Sequence, residues 1–134
     1  MAGRFTLGKR ERLKSRKQID ELFRKGKSFS VFPLRITWHF VPSAEAVLQA
    51  GVTVSKRFFK KAVHRNRIKR LLREAYRLEK GPLVTAVNER KVQAHLFFMY
   101  ADKELPSFEV VHEAVKTALK KLQQKLLEVN EIPR

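Results

Sequence analysis

The chain has 134 residues, 43% of them hydrophobic, and a formal net charge of +17 from 30 Lys plus Arg against 13 Asp plus Glu. That length supports one ordinary domain with a real core and is short for two. Cysteine is absent, which excludes disulfides, thiolate zinc sites and a cysteine nucleophile, and no apolar run approaches the roughly 20 residues that span a bilayer.

A small domain usually carries a net charge of about 2 to 8, and a larger excess of one sign destabilises the compact state by self-repulsion. A polyanionic partner is therefore expected, with nucleic acid ahead of an anionic membrane surface. The N-terminal MAGRFTLGKRERLKSRK has charge but no apolar segment behind it, so a cytoplasmic protein is expected. Residues 1–134 read as a single domain, with 1–14 a basic stretch that can be flexible.

In chain order, Ser15 and Gln18 have the spacing of a reciprocal capping box and predict a helix start. Ile19, Leu22 and Phe23 then form one apolar face over about three turns, and Gly26 predicts a left-handed stop. Leu34, Ile36, Trp38 and Phe40 alternate with Arg35, Thr37 and His39, as in a half-buried strand, with Pro33 suited to its beginning or to an edge. Leu48, Ala50, Val52 and Val54 resume the alternation after a break at 42–46, and the two segments are expected to be antiparallel neighbours.

KKAVHRNRIKRLLREAYR, Lys60 to Arg77, predicts a second helix that Gly81 and Pro82 close; 83–90 has a weak pattern and reads as loop or frayed extension. Val92, Ala94, Leu96, Phe98 and Tyr100 mark a central strand, with Phe97 and Met99 partly filling its other face. Leu105, Pro106 and Ser107 announce the last helix, whose stripe of Val111, Ala114, Val115, Ala118, Leu119, Leu122 and Leu126 has the 3.6 period; its opposite, charged face needs no partner. The order of elements implies an α+β or α/β two-layer sandwich.

The basic helix carries the functional signal. Arg65, Lys69, Arg73 and Arg77 each lie about 40° further round than the last, forming a slowly winding cationic stripe, with Ile68, Leu71, Leu72, Ala75 and Leu78 expected on the buried side. Lys56, Arg57, Lys60, Lys61, Arg65, Arg67, Lys69, Arg70 and Arg73 occur with no acid among them until Glu74. A helix N-terminus already carries partial positive charge, so cations gathered there repel it and one another. An incoming phosphate removes that cost, because backbone N–H groups, the dipole and guanidinium forks all favour an anion. Asn66 fits two roles, a contact to a sugar hydroxyl or phosphate-bound water, or a helix cap.

Chemistry borne by the protein itself is not expected. His39, His64, His95 and His112 lack metal-ligand spacing, no P-loop or nucleophile elbow is present, and the carboxylates are scattered among basic neighbours, with Glu11 and Asp20 serving local charge balance. Neither catalytic nor metal-ligating residues are assigned.

AVHRNRIKRLLREAYR, with VSKR just upstream, closely resembles the signature of the bacterial ribonuclease P protein subunit. The resemblance covers nearly the whole chain, from an RL lead-in at Arg12 and Leu13 through the helix ending at Lys25 and Gly26, the VSK strand end, the RNR helix, an apolar strand and a terminal helix. It implies a ribosomal-protein-like fold in α-β-β-β-α-β-α order, with a left-handed crossover against the usual right-handed preference. It further implies that Arg65, Asn66, Arg67, Lys69, Arg70 and Arg73 contact a large catalytic RNA, with Lys56 and Arg57 nearby and Lys60 and Lys61 at the helix start.

A cleft between the first helix and the sheet would hold the single-stranded 5′ leader of precursor tRNA at Ile19, Phe23, Arg35 and Thr37. From the residues alone, Ile19, Leu22 and Phe23 could equally be core, a reading preferred for Leu22. Catalysis would belong to the RNA subunit, using Mg²⁺ held mainly by that RNA and the substrate, with no small-molecule substrate and no membrane. The sequence departs from the family pattern at Ile19 and Thr37, where relatives carry an aromatic ring, and at FFKK, which lacks a glycine. A non-catalytic ribosomal or other structural RNA-binding protein is the alternative, and an autonomous nuclease a third reading.

Overall fold

The computed structural model describes residues 12–13 and 16–129. In chain order these form α1 (Arg16–Lys25), β1 (Lys27–Val31), β2 (Leu34–Pro42), β3 (Val47–Val54), α2 (Ala62–Glu79), α3 (Gly81–Arg90), β4 (Val92–Tyr100) and α4 (Phe108–Val129). The fold is α+β, with one mixed four-stranded sheet in the order β1-β2-β4-β3. The capping box expected at Ser15 falls outside the described residues.

Strand β4 is central, as its apolar alternation predicts. Val92, Ala94, Leu96, Phe98 and Tyr100 are all buried, and so are Leu34, Ile36, Trp38 and Phe40 on neighbouring β2. The expectation that β2 and β3 pair is wrong: β4 lies between them, antiparallel to β2 and parallel to β3. Parallel strands cannot be joined by a tight turn, and α2 with α3 supplies the crossover from β3 to β4. The resemblance had implied a further strand, and β1 takes that place, antiparallel to β2 across a turn at Phe32 and a cis Pro33.

Residues 81–90 are helical, which corrects the loop reading. Pro82 fits a stop for α2, but at the first turn of a helix proline sacrifices no hydrogen bond, so it closes α2 and opens α3 together. Leu83, Ala86 and Val87 supply a short apolar face that is buried. Lys91 ends α3 in the left-handed conformation (φ 53°, ψ 65°), its N–H donating to the Val87 carbonyl at 2.9 Å.

Every residue of the predicted α4 stripe is buried. On α2 the buried side is Ile68, Leu72, Ala75 and Tyr76; Leu71 is half-buried and Leu78 exposed, so the stripe runs one residue away from the predicted one at its C-terminal end. Tyr76 lies 5.8 Å from Phe98, centroid to centroid. Helices α2 and α4 pack against each other and share this core with the sheet.

Helix α1 lies against the other face of the sheet, burying Leu22 at 1% exposure and resting on β2. It does not stop as predicted, because no described glycine has a positive φ. Gly26 is instead required by crowding: a Cβ there would stand 2.5 Å from the Leu22 carbonyl oxygen and 2.8 Å from that of Trp38.

Candidate nucleic-acid interface

The segment between β3 and α2 is held at several points. Ser55 accepts the Arg57 N–H at its Oγ (3.1 Å) and the Phe59 N–H at its carbonyl (3.2 Å). Phe59 is buried beside Tyr100, with ring centroids 5.9 Å apart, while neighbouring Phe58 stays 45% exposed. Arg65 reaches back from the first turn of α2, its Nη1 donating to the carbonyls of Phe59 (2.7 Å) and Lys60 (2.8 Å). Both Nη1 hydrogens are thus engaged by the protein itself, which makes Arg65 a clasp on the loop as well as a cation.

Lys61 is the N-cap of α2 and supplies no side-chain hydrogen bond; the first turn carries no acid. Its carbonyl accepts the His64 and Arg65 N–H groups at 3.2 and 3.3 Å. The N–H groups of the preceding residues in that turn receive no side-chain acceptor, so backbone donors, dipole and cations converge on one open end. Asn66 lies within the helix and exposed, which removes its alternative reading as the cap.

Of the other predicted RNA-binding residues, Lys56, Arg57, Lys60, Lys61, Arg67, Arg70 and Arg73 are exposed and Lys69 is half-buried. The winding stripe divides. Arg67 and Arg70 flank a shallow groove with Val63, His64 and Leu71, whereas Arg73 turns toward Arg12, Ile19 and Phe97 at the α1 side of the molecule. Arg77 is held by Glu74, with Nε donating to Oε2 at 3.1 Å and Nη2 to Oε1.

On the α1 side a cleft of about 180 Å³ opens between α1, the 12–13 segment, β3 and α2. Leu13 is buried and donates its N–H to the Ala50 carbonyl at 3.0 Å, so the lead-in runs along β3. Gly51 makes room for it: a Cβ would lie 2.7 Å from the Phe97 ring and 3.1 Å from the Leu13 carbonyl oxygen. Phe23 meets Phe97 edge to face at 5.3 Å and remains 47% exposed, Ile19 is half-buried, and Arg35 is exposed on β2. Thr37 differs from the other predicted leader residues in being buried at 5% exposure, its Oγ1 3.2 Å from the Ser28 Oγ.

The roles of Phe97, Gly51, His39 and His95 on this face escaped the sequence reading. Phe97, paired with Thr37 in the register, was visible there only as a partly filled second face of β4. Gly51 carries no local signal of the ring that lies over it. His39 and His95 fall on separate elements yet oppose each other directly across β2 and β4. Burial lowers the His95 pKa, the nearby His39 adds to the effect, and Glu21 opposes it. Among the described residues no three His, Cys, Asp or Glu side chains group to hold a metal ion, and no helix is long and apolar enough to cross a membrane.

Residues 7–123 match the family model for Ribonuclease P. The ribonuclease P protein component of Porphyromonas gingivalis is 42% identical over 116 residues, covering 86% of this chain and 85% of its own. That of Chlorobium phaeobacteroides is 35% identical over 121 residues, covering 82% and 83%. The fold is similar to that of the Staphylococcus aureus RNase P protein, with a TM-score of 0.63 at 19% identity over 84% of this chain and 94% of that one. A basic domain with an open, cation-ringed helix start and this extent of likeness belongs to the bacterial ribonuclease P protein family, the protein component of a tRNA-processing endoribonuclease that works as a ribonucleoprotein.

Proposed function

We propose that the open start of α2 and the loop before it seat this protein on the catalytic RNA, while the cleft beneath α1 receives the 5′ leader of precursor tRNA. The carrying observation is the N-terminus of α2, whose first turn has neither a side-chain cap nor an acid and lies within a stretch, Lys56 to Arg73, that holds nine basic residues and no acidic one. Phosphate oxygens satisfy those donors and neutralise those charges at one place.

The leader reading is supported by Phe23 and Phe97, which offer aromatic surface beside Ile19, with Arg73 and Arg12 at the cleft's edge. Stacking on such rings is tolerant of sequence, as a varied leader requires. Arg35, exposed on β2 outside the cleft lining, would meet a phosphate of the leader only beyond the cleft; Thr37 contributes through its bond to Ser28 rather than through exposed surface.

Hydrolysis of the phosphodiester is carried by the RNA subunit with Mg²⁺ bound to that RNA and the substrate, in the cytoplasm. The protein contributes electrostatically: two polyanions repel as they dock, and a domain of net charge +17 between them lowers that repulsion and the Mg²⁺ needed to offset it. Reconstitution tests this. Precursor tRNA is expected to be cut at physiological Mg²⁺ only when protein and RNA subunit are both present, with less stimulation when the leader is shortened to a stub that cannot reach the cleft. Co-purification with ribosomal subunits and no stimulation of cleavage would instead support the structural RNA-binding alternative.

A further inference from the structure

Resting on the RNA-binding reading, we infer that Phe58 is a stacking platform for one unpaired nucleobase of the RNA, so that the loop before α2 reads a base as well as phosphates. Two adjacent phenylalanines have opposite fates here. Phe59 is 5% exposed and anchors the loop against Tyr100, while Phe58 is 45% exposed in a stretch whose other exposed side chains include Lys56, Arg57 and Lys60.

A single exposed apolar side chain ordinarily needs no explanation. Phe58 differs because its surroundings are built. The backbone on both sides is fixed, by Ser55 before it and by the Arg65 clasp after it. The Arg57 guanidinium stands 5.9 Å from the Phe58 ring centroid, so ring and cation are presented together. A protein partner would ask for a contiguous apolar patch. An aromatic ring with a guanidinium beside it, in a basic stretch of the chain, suits instead a nucleobase whose flanking phosphates meet the neighbouring lysines and arginines.

The test compares binding of the RNA subunit, and separately of precursor tRNA with and without its leader, by the full-length protein and its Phe58→Ala, Phe58→Trp and Arg67→Ala variants over a range of salt. Phe58→Ala is expected to weaken binding of the RNA subunit about tenfold with an unchanged salt slope, since it removes stacking and no charge. Phe58→Trp is expected to retain affinity, and the emission of the added tryptophan to be quenched when RNA binds. A loss confined to leader-bearing precursor would overturn the assignment to the RNA subunit, because the base would then belong to the substrate. Affinity of Phe58→Ala within twofold of the parent, or an unquenched Phe58→Trp, would overturn the inference; loss of binding and of salt slope in Arg67→Ala would show the RNA-binding reading to survive it.

Discussion

Helices α2 and α4 lie side by side on one sheet face and obey the same packing rules, yet their N-termini are finished differently. Ser107 closes α4, its Oγ accepting the Val110 N–H at 3.3 Å, and Glu109 stands in the first turn where the dipole favours it. At α2 the cap position holds Lys61, without a side-chain bond, and the first turn holds no acid. One helix is complete within the protein. The other is left without a side-chain cap or an acid, and under the proposed function an anion of the RNA completes it.

The largest expected effect tests the stability side. Leu122 on α4 is fully buried, so Leu122→Ala should cost about 2–5 kcal/mol in denaturant unfolding, while the protein that remains folded binds RNA with unchanged salt dependence. A change in that slope would mean that α4 takes part in recognition.

Next come the two arginines flanking Asn66. Arg65→Ala should lower stability by about 1–3 kcal/mol, because the carbonyls of Phe59 and Lys60 lose a shared charged donor, and should weaken RNA binding as the loop loosens. Arg67→Ala, at an exposed site, should leave stability within about 0.5 kcal/mol and reduce the salt slope of RNA binding by about one. Equal unfolding midpoints for the two variants would refute the clasp.

Exchanging the caps sharpens the contrast. Lys61→Ser should stabilise α2 by about 0.5–2 kcal/mol and weaken RNA binding, whereas Ser107→Ala should destabilise by a similar amount and leave RNA binding alone. Tighter RNA binding by Lys61→Ser would break the idea that this end is left open for a ligand.

The smallest effect lies on the sheet. The folded-state pKa of His95 is lowered, so the unfolded chain takes up the proton more readily. Stability from this group is complete above the ordinary imidazole value of 6.5 and falls as pH drops below it toward the lowered folded value. His95→Gln should flatten that decline in thermal melts; an unchanged decline would place its origin elsewhere.

Features carried by neighbours in sequence were legible in advance. The 3.6-residue stripe of α4, the alternation of β2 and β4, and the crowding of cations before Glu74 each arise within one element. The errors occur where a local signal has two uses. Gly81 and Pro82 mark a stop and equally a start, and Gly26 serves two crowding carbonyls where a left-handed turn was expected.

The sequence by itself determined that the chain carries a basic helix with an uncompensated start, because charge and periodicity are written into adjacent residues. Only the tertiary structure decided that β4 inserts between β2 and β3, that Thr37 is covered, that Arg65 turns inward and that Phe58 points outward while Phe59 is buried. Those outcomes depend on strand order and on core space shared by residues distant in the chain, and pattern along a single element does not encode them.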